Sequence, residues 1–109
     1  MKLDIQKIIE ELTVEQKIKI LSGGDAWHTE ELADLDIPAI TLTDGPHGVR
    51  LEDEEAGEFF ESKPATSFPI EAAMAASWNQ DLIKEMGQKM GEECQYYDVG
   101  VLLGPGVNG

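Results

Sequence analysis

Asp44-Gly45-Pro46-His47-Gly48-Val49-Arg50 sets a carboxylate and a guanidinium six positions apart on a turn rich in glycine and proline, directly after the strand-like run 37–43. An ionised aspartate only accepts hydrogen bonds and an arginine only donates them, so the pair suits a molecule covered in hydroxyls. Gly45 and Gly48 tolerate positive φ, while Pro46 fixes φ and removes a backbone donor, which makes the segment a shaped turn. A second reading stays open on these residues alone: a tight turn whose aspartate caps its own backbone, as Asp-Gly turns do.

The flanking sequence supplies elements that would position such a turn. Ile5, Ile8, Ile9 and Leu12 recur at helical spacing over 4–12. Thr13-Val14-Glu15-Gln16 has the form of a capping box, which predicts a second helix with Val14, Ile18 and Leu21 on one face and a stop at Ser22-Gly23-Gly24. A loop with Asp25, Trp27 and His28 and a short turn over 30–35 lead to Ile37-Pro38, and 39–43 alternates like a half-buried strand. From Leu51 to Lys63 six acidic residues come with no base before Lys63, the pattern of a solvated, mobile loop. Its spacing lacks the alternating ligands and central glycine of a calcium loop.

Beyond Phe68-Pro69, the small-residue segment 71–78 predicts a tightly packed helix ending in a core Trp78. Asn79 is placed to cap the next helix, with Asp81 in its first turn and Leu82, Ile83, Met86, Met90 and Cys94 as its apolar stripe. Gly87 and Gly91, four apart, would allow close approach of a neighbouring element. The run 99–103, bounded by Gly104-Pro105-Gly106, predicts a strand buried on both faces. Strand, long loop, helices and buried strand in that order give an α/β class built around a parallel sheet.

Composition narrows the function classes. The chain has 109 residues, with 22 acidic against 8 basic side chains and a formal net charge of −14. That charge repels phosphate backbones and anionic lipid surfaces, so neither nucleic acid nor membrane is an expected partner. Cys94 is the only cysteine, and His28 and His47 are too far apart for zinc spacing, so neither a disulfide nor a metal nor any other cofactor is expected. The N-terminus has no continuous apolar stretch of the signal-peptide kind, and a cytoplasmic location is the expectation. Nucleophile-elbow, phosphate-loop and dinucleotide patterns are all missing. Asp44 is one well-presented carboxylate, and no second acid stands at a comparable strand end to complete a glycosidase pair.

Five motifs in order carry a family resemblance. Leu12-Thr13-Val14-Glu15-Gln16-Lys17-Ile18 resembles the LT-x-EEKI-x-LL opening of glycoside hydrolase family 3 β-glucosidases, and 21–29 is similar to their LSG-x-D-x-WHT. Ile37-Pro38 with 43–50 resembles IP…SDGP-x-GVR; Phe68-Pro69, the segment through Trp78, and Met90-Gly91-Glu92-Glu93 continue the likeness. Leu102-Leu103-Gly104-Pro105-Gly106-Val107-Asn108 resembles LLGPGVN.

The resemblance implies that residues 1–109 form the incomplete N-terminal part of a (β/α)8-type barrel domain, with helices followed by two or three short strands. It implies that Asp44 binds hydroxyls of a terminal β-linked glucose in the −1 subsite and that Arg50 lies at the same pocket. Trp27 and His28 read as packing residues, with lining of that subsite as the alternative, and His47 as a turn residue without a catalytic role. The family's nucleophile, its acid/base glutamate and a Lys-His pair lie later than the position matched by Gly109. The expectation is therefore a chain inactive by itself, whose partners are a β-glucoside or glucose and the remainder of such an enzyme. A small autonomous module that binds sugar or protein is the alternative.

Overall fold

The computed structural model describes residues 3–53 and 62–107. It divides into two compact units, Met1–Thr41 and Leu42–Gly109. Positions 54–61 of the expected acidic loop lie outside the described residues; its base is closed by the Glu52–Ser62 bridge and by Lys63 N–H donating to the Leu51 carbonyl at 2.8 Å.

The first unit begins with α1 (Ile5–Glu11), whose N-cap Asp4 accepts from Lys7 N–H, and α2 (Val14–Ser22). The capping box forms as expected: Thr13 Oγ1 accepts from Gln16 N–H at 3.2 Å and Gln16 Oε1 from Thr13 N–H at 2.9 Å. Gly23, at φ 82, ends α2. Neither helix buries a residue, so the stripe Val14, Ile18 and Leu21 is a face without a cover among the described residues. A 3-10 turn, Ala33–Leu35, is closed by the Leu32–Ile37 bridge, and Leu32 is buried.

The expected strand 39–43 shifts to β1 (Leu42–Asp44). The reason is local: Ile40 exchanges hydrogen bonds with Thr29, and Thr41 bridges His28 in antiparallel fashion, which commits those residues to the first unit.

The second unit runs β1, α3 (Glu71–Ala76), α4 (Gln80–Tyr96) and β2 (Val101–Leu103). The strands pair in parallel, Leu42 with Val101, Thr43 with Leu102 and Asp44 with Leu103, so α3 and α4 form the crossover that a parallel pair requires. Asn79 Oδ1 caps α4 through Leu82 N–H, as its position predicts. At the other end Val99 N–H reaches the Cys94 carbonyl and Asp98 N–H that of Gln95, a Schellman motif with Asp98 at φ 57 where glycine is usual. Its apolar contact, Val99 with Cys94, joins Val49 at the centre of the core, with Leu51, Tyr97 and Leu102 packed around it.

Four expectations about burial are corrected. Trp78 is 92% exposed, because α3 stops at Ala76 and Trp78 turns to φ 51. Leu82 and Ile83 are exposed, and only Met86, Met90 and Cys94 of the α4 stripe are buried. Gly87 and Gly91 have nothing within 4 Å among the described residues, so no close neighbour there explains them. β2 is covered on one face: Leu102 joins the core, while Val101 and Leu103 are 41% and 52% exposed.

Candidate functional site

Asp44 is the last residue of β1, and the following loop returns so that Arg50 N–H donates to the Asp44 carbonyl at 2.8 Å. The two residues form an antiparallel bridge. Directly opposed residues in such a pair send their side chains to the same face, with Cβ atoms about 4.5–5.5 Å apart. Both side chains are exposed, and neither enters an ion pair or accepts a backbone cap among the described residues. The carboxylate is thus not spent on its own turn.

The loop is held from beneath. Thr43, 2% exposed, donates its hydroxyl to the Arg50 carbonyl at 2.6 Å, which satisfies a buried polar group and fixes Arg50. Gly106 N–H donates to the Pro46 carbonyl at 2.8 Å, so the loops that follow the two parallel strands are joined at their C-terminal ends. A Cβ on Gly104 would overlap the Gly45 carbonyl oxygen, which leaves room only for glycine at this crossing. In parallel α/β folds this end of the strands is where ligands are bound.

A cleft of about 350 Å³ opens beside the loop, with His47, Arg50, Ser62, Lys63, Thr66 and Ser67 in its polar wall. A second, apolar groove of about 250 Å³ runs between α3 and the segment after β2, with Glu71 at its rim against Gly106. Among the described residues no cluster of three or more His, Cys, Asp or Glu is gathered as for a metal ion, and no helix is long and apolar enough to cross a membrane.

Trp27 and His28 belong to the first unit, where both are half-buried. Asp25 organises them: its Oδ1 accepts from Trp27 N–H at 2.8 Å, and its two oxygens lie 2.9 and 3.0 Å from His28 Nδ1. For the carboxylate to accept from it, Nδ1 must carry the proton. The Trp27 N–H and the His28 ring hold the Asp25 carboxyl below its ordinary value of 3.8.

Sequence reasoning missed Glu93. Its Oε1 accepts from both the N–H and the hydroxyl of Thr66, at 2.9 and 2.6 Å, and one turn later Tyr97 donates its hydroxyl to the Pro64 carbonyl. The signal was a charged residue within the buried face of α4, since Met90, Glu93, Cys94 and Tyr97 follow at i, i+3, i+4 and i+7. Burial, with the Glu93 charge beside it, pushes the Cys94 thiol above its ordinary value.

Residues 5–108 match the profile of the glycosyl hydrolase family 3 N terminal domain. Thermostable beta-glucosidase B of Acetivibrio thermocellus is 48% identical over 110 residues, which take in 99% of this chain and 15% of that protein. Exo-alpha-(1->6)-L-arabinopyranosidase of Bifidobacterium longum is 47% identical over 103 residues, 92% of this chain and 14% of that one. Among solved structures, the beta-glucosidase from Kluyveromyces marxianus in complex with glucose superposes with a TM-score of 0.84 at 35% identity, covering 95% of this chain and 12% of that one. The chain therefore spans a small part of the length of the proteins it matches.

Proposed function

The chain belongs to glycosyl hydrolase family 3, and from that premise we propose that it supplies part of the −1 sugar subsite of a retaining β-glucosidase acting on terminal β-D-glucosyl groups. Asp44 accepts hydrogen bonds from the sugar's hydroxyls and Arg50 donates to its oxygens. The observation that carries this reading is the Asp44–Arg50 bridge at the C-terminal end of β1, with both charged groups exposed and unpaired among the described residues.

Retaining hydrolysis needs two carboxyl groups about 5–5.5 Å apart. The end of β2, Leu103-Gly104-Pro105, offers no carboxylate beside Asp44. Asp44 is therefore a binding residue in this proposal, and the nucleophile and the acid/base come from a further part of the enzyme. By itself the chain binds sugar weakly and does not cleave it.

Titrating glucose while following the amide signals of Asp44 and Arg50 tests the reading. Millimolar-range shifts (roughly −4 kcal/mol of binding) that vanish in Asp44→Ala are expected. Shifts that survive the substitution would place the sugar elsewhere.

A further inference from the structure

We propose that Glu93 is a positioning residue for the Asp44–Arg50 loop, acting through Thr66 and Gly48. Three contacts make the chain of action. Glu93 Oε1 takes both donors of Thr66, its N–H at 2.9 Å and its hydroxyl at 2.6 Å, so one carboxylate oxygen fixes both the backbone and the side chain of that residue. Hydrogen bonds to a charged acceptor are the stronger kind. The carbonyl of Thr66 in turn lies so close to Gly48 that a Cβ there would overlap its oxygen, and Gly48 sits at φ 140. Gly48 lies two residues before Arg50 in the loop whose ends are Asp44 and Arg50, and those ends are tied by the Arg50 N–H to Asp44 carbonyl bond.

The segment around Thr66 is stitched on one side to this loop and on the other to the residue that follows it. Phe68 N–H donates to the His47 carbonyl at 2.8 Å, and Lys63 N–H to that of Leu51 at 2.8 Å. Tyr97 adds a second hold from α4 through its hydroxyl on Pro64. A shift of Thr66 is thus passed to Gly48 and its neighbours, because no slack remains between the two backbones. The other Glu93 oxygen, Oε2, is shut off from solvent and has no hydrogen-bond partner among the described residues. An exposed side chain could make the Thr66 bonds without that loss of solvation; burial at this point of α4 fixes the direction from which Thr66 is held.

Glu93 makes its described contacts within the protein, so its effect on a ligand is indirect. The consequence for affinity rests on the sugar-subsite reading of Asp44 and Arg50; the clamp itself does not.

The test uses the whole 109-residue chain, isotopically labelled, as wild type and as Glu93→Ala, Glu93→Gln and Thr66→Val. Amide hydrogen exchange reads the clamp, and glucose titration reads its consequence. In Glu93→Ala the Thr66 and Arg50 amides exchange about tenfold faster or more, while Met86 and Met90 in α4 keep their protection and glucose affinity falls at least about fivefold. Glu93→Gln retains an acceptor oxygen and restores most of both readouts, and Thr66→Val, which loses only the hydroxyl bond, falls between. Unchanged exchange at Arg50 in both Glu93→Ala and Thr66→Val overturns the proposal. So does a loss of protection in Glu93→Ala that spreads equally through α4, when Thr66→Val leaves Arg50 as it was. Wild-type chain that binds no glucose refutes the subsite reading, while the Arg50 exchange rates still decide for or against the clamp.

Discussion

Thr43 is where the loop's geometry can be separated from the fold's stability. Its side chain is almost wholly buried, methyl included, and its hydroxyl holds the Arg50 carbonyl at 2.6 Å. Thr43→Val keeps the shape and removes the hydrogen bond. An unsatisfied buried carbonyl costs about 1–3 kcal/mol, and the added methyl recovers about 0.8 kcal/mol, so the net loss of stability is about 0–2 kcal/mol. Thr43→Ser does the reverse: it keeps the bond and deletes a methyl, for about 0.5–1.5 kcal/mol. Urea denaturation therefore barely distinguishes the variants. Amide exchange at Arg50 does, because that N–H is bonded to Asp44 and its protection depends on the Arg50 carbonyl being anchored one atom group away. The expected result is exchange about tenfold faster in Thr43→Val and within about twofold of wild type in Thr43→Ser. Arg50 protected as well in Thr43→Val as in wild type would refute the argument that Thr43 fixes the loop.

Gly48→Ala places a side chain at φ 140 and against the Thr66 carbonyl, and should lower stability by about 1–3 kcal/mol or more, seen as a lower urea midpoint. Asp98→Gly relieves the left-handed residue of the α4 Schellman turn and should raise stability by about 0.5–1 kcal/mol, seen as a higher midpoint with an unchanged slope. The Asp25 carboxyl is held below 3.8 in the folded chain, so the unfolded state binds its proton first as the pH falls. Its stabilising effect is full above 3.8 and is lost as the pH drops through the depressed value. An acid titration followed by the Trp27 amide signal should show the transition below 3.8 in wild type and no such transition in Asp25→Ala.

How much of this was legible beforehand depended on how local the physics was. The Thr13–Gln16 box and the Asn79 cap need only residues three apart, and both form as their spacing predicts. The turn over 44–50 was legible in part: its glycines and proline mark a shaped turn, and Gly48 does take positive φ, but the bonds from Thr43, Phe68 and Gly106 that hold it come from outside the turn. Burial was less legible. Periodicity marks which face of α4 or β2 is apolar but does not say what covers it, and so Trp78, Leu82, Ile83, Val101 and Leu103 were expected inside and stand exposed. Gly87 and Gly91 illustrate the same gap, four residues apart with nothing against them among the described residues. The Thr43–Arg50 and Glu93–Thr66 bonds join residues 7 and 27 positions apart, and no local pattern announces them. A glutamate on the buried stripe of α4 was the one trace they left.

The most direct test of Asp44 as a sugar ligand replaces the matching first segment of thermostable beta-glucosidase B of Acetivibrio thermocellus with this chain and measures kcat/KM on an aryl β-glucoside, with an aryl α-L-arabinopyranoside in parallel. If Asp44 binds the sugar, the chimera turns over the β-glucoside. Asp44→Asn then lowers kcat/KM by roughly 10- to 150-fold, the equivalent of about 1.5–3 kcal/mol for one charged hydrogen bond, with the thermal midpoint unchanged. An Asp44→Asn chimera that cleaves the β-glucoside at the unsubstituted rate would contradict it.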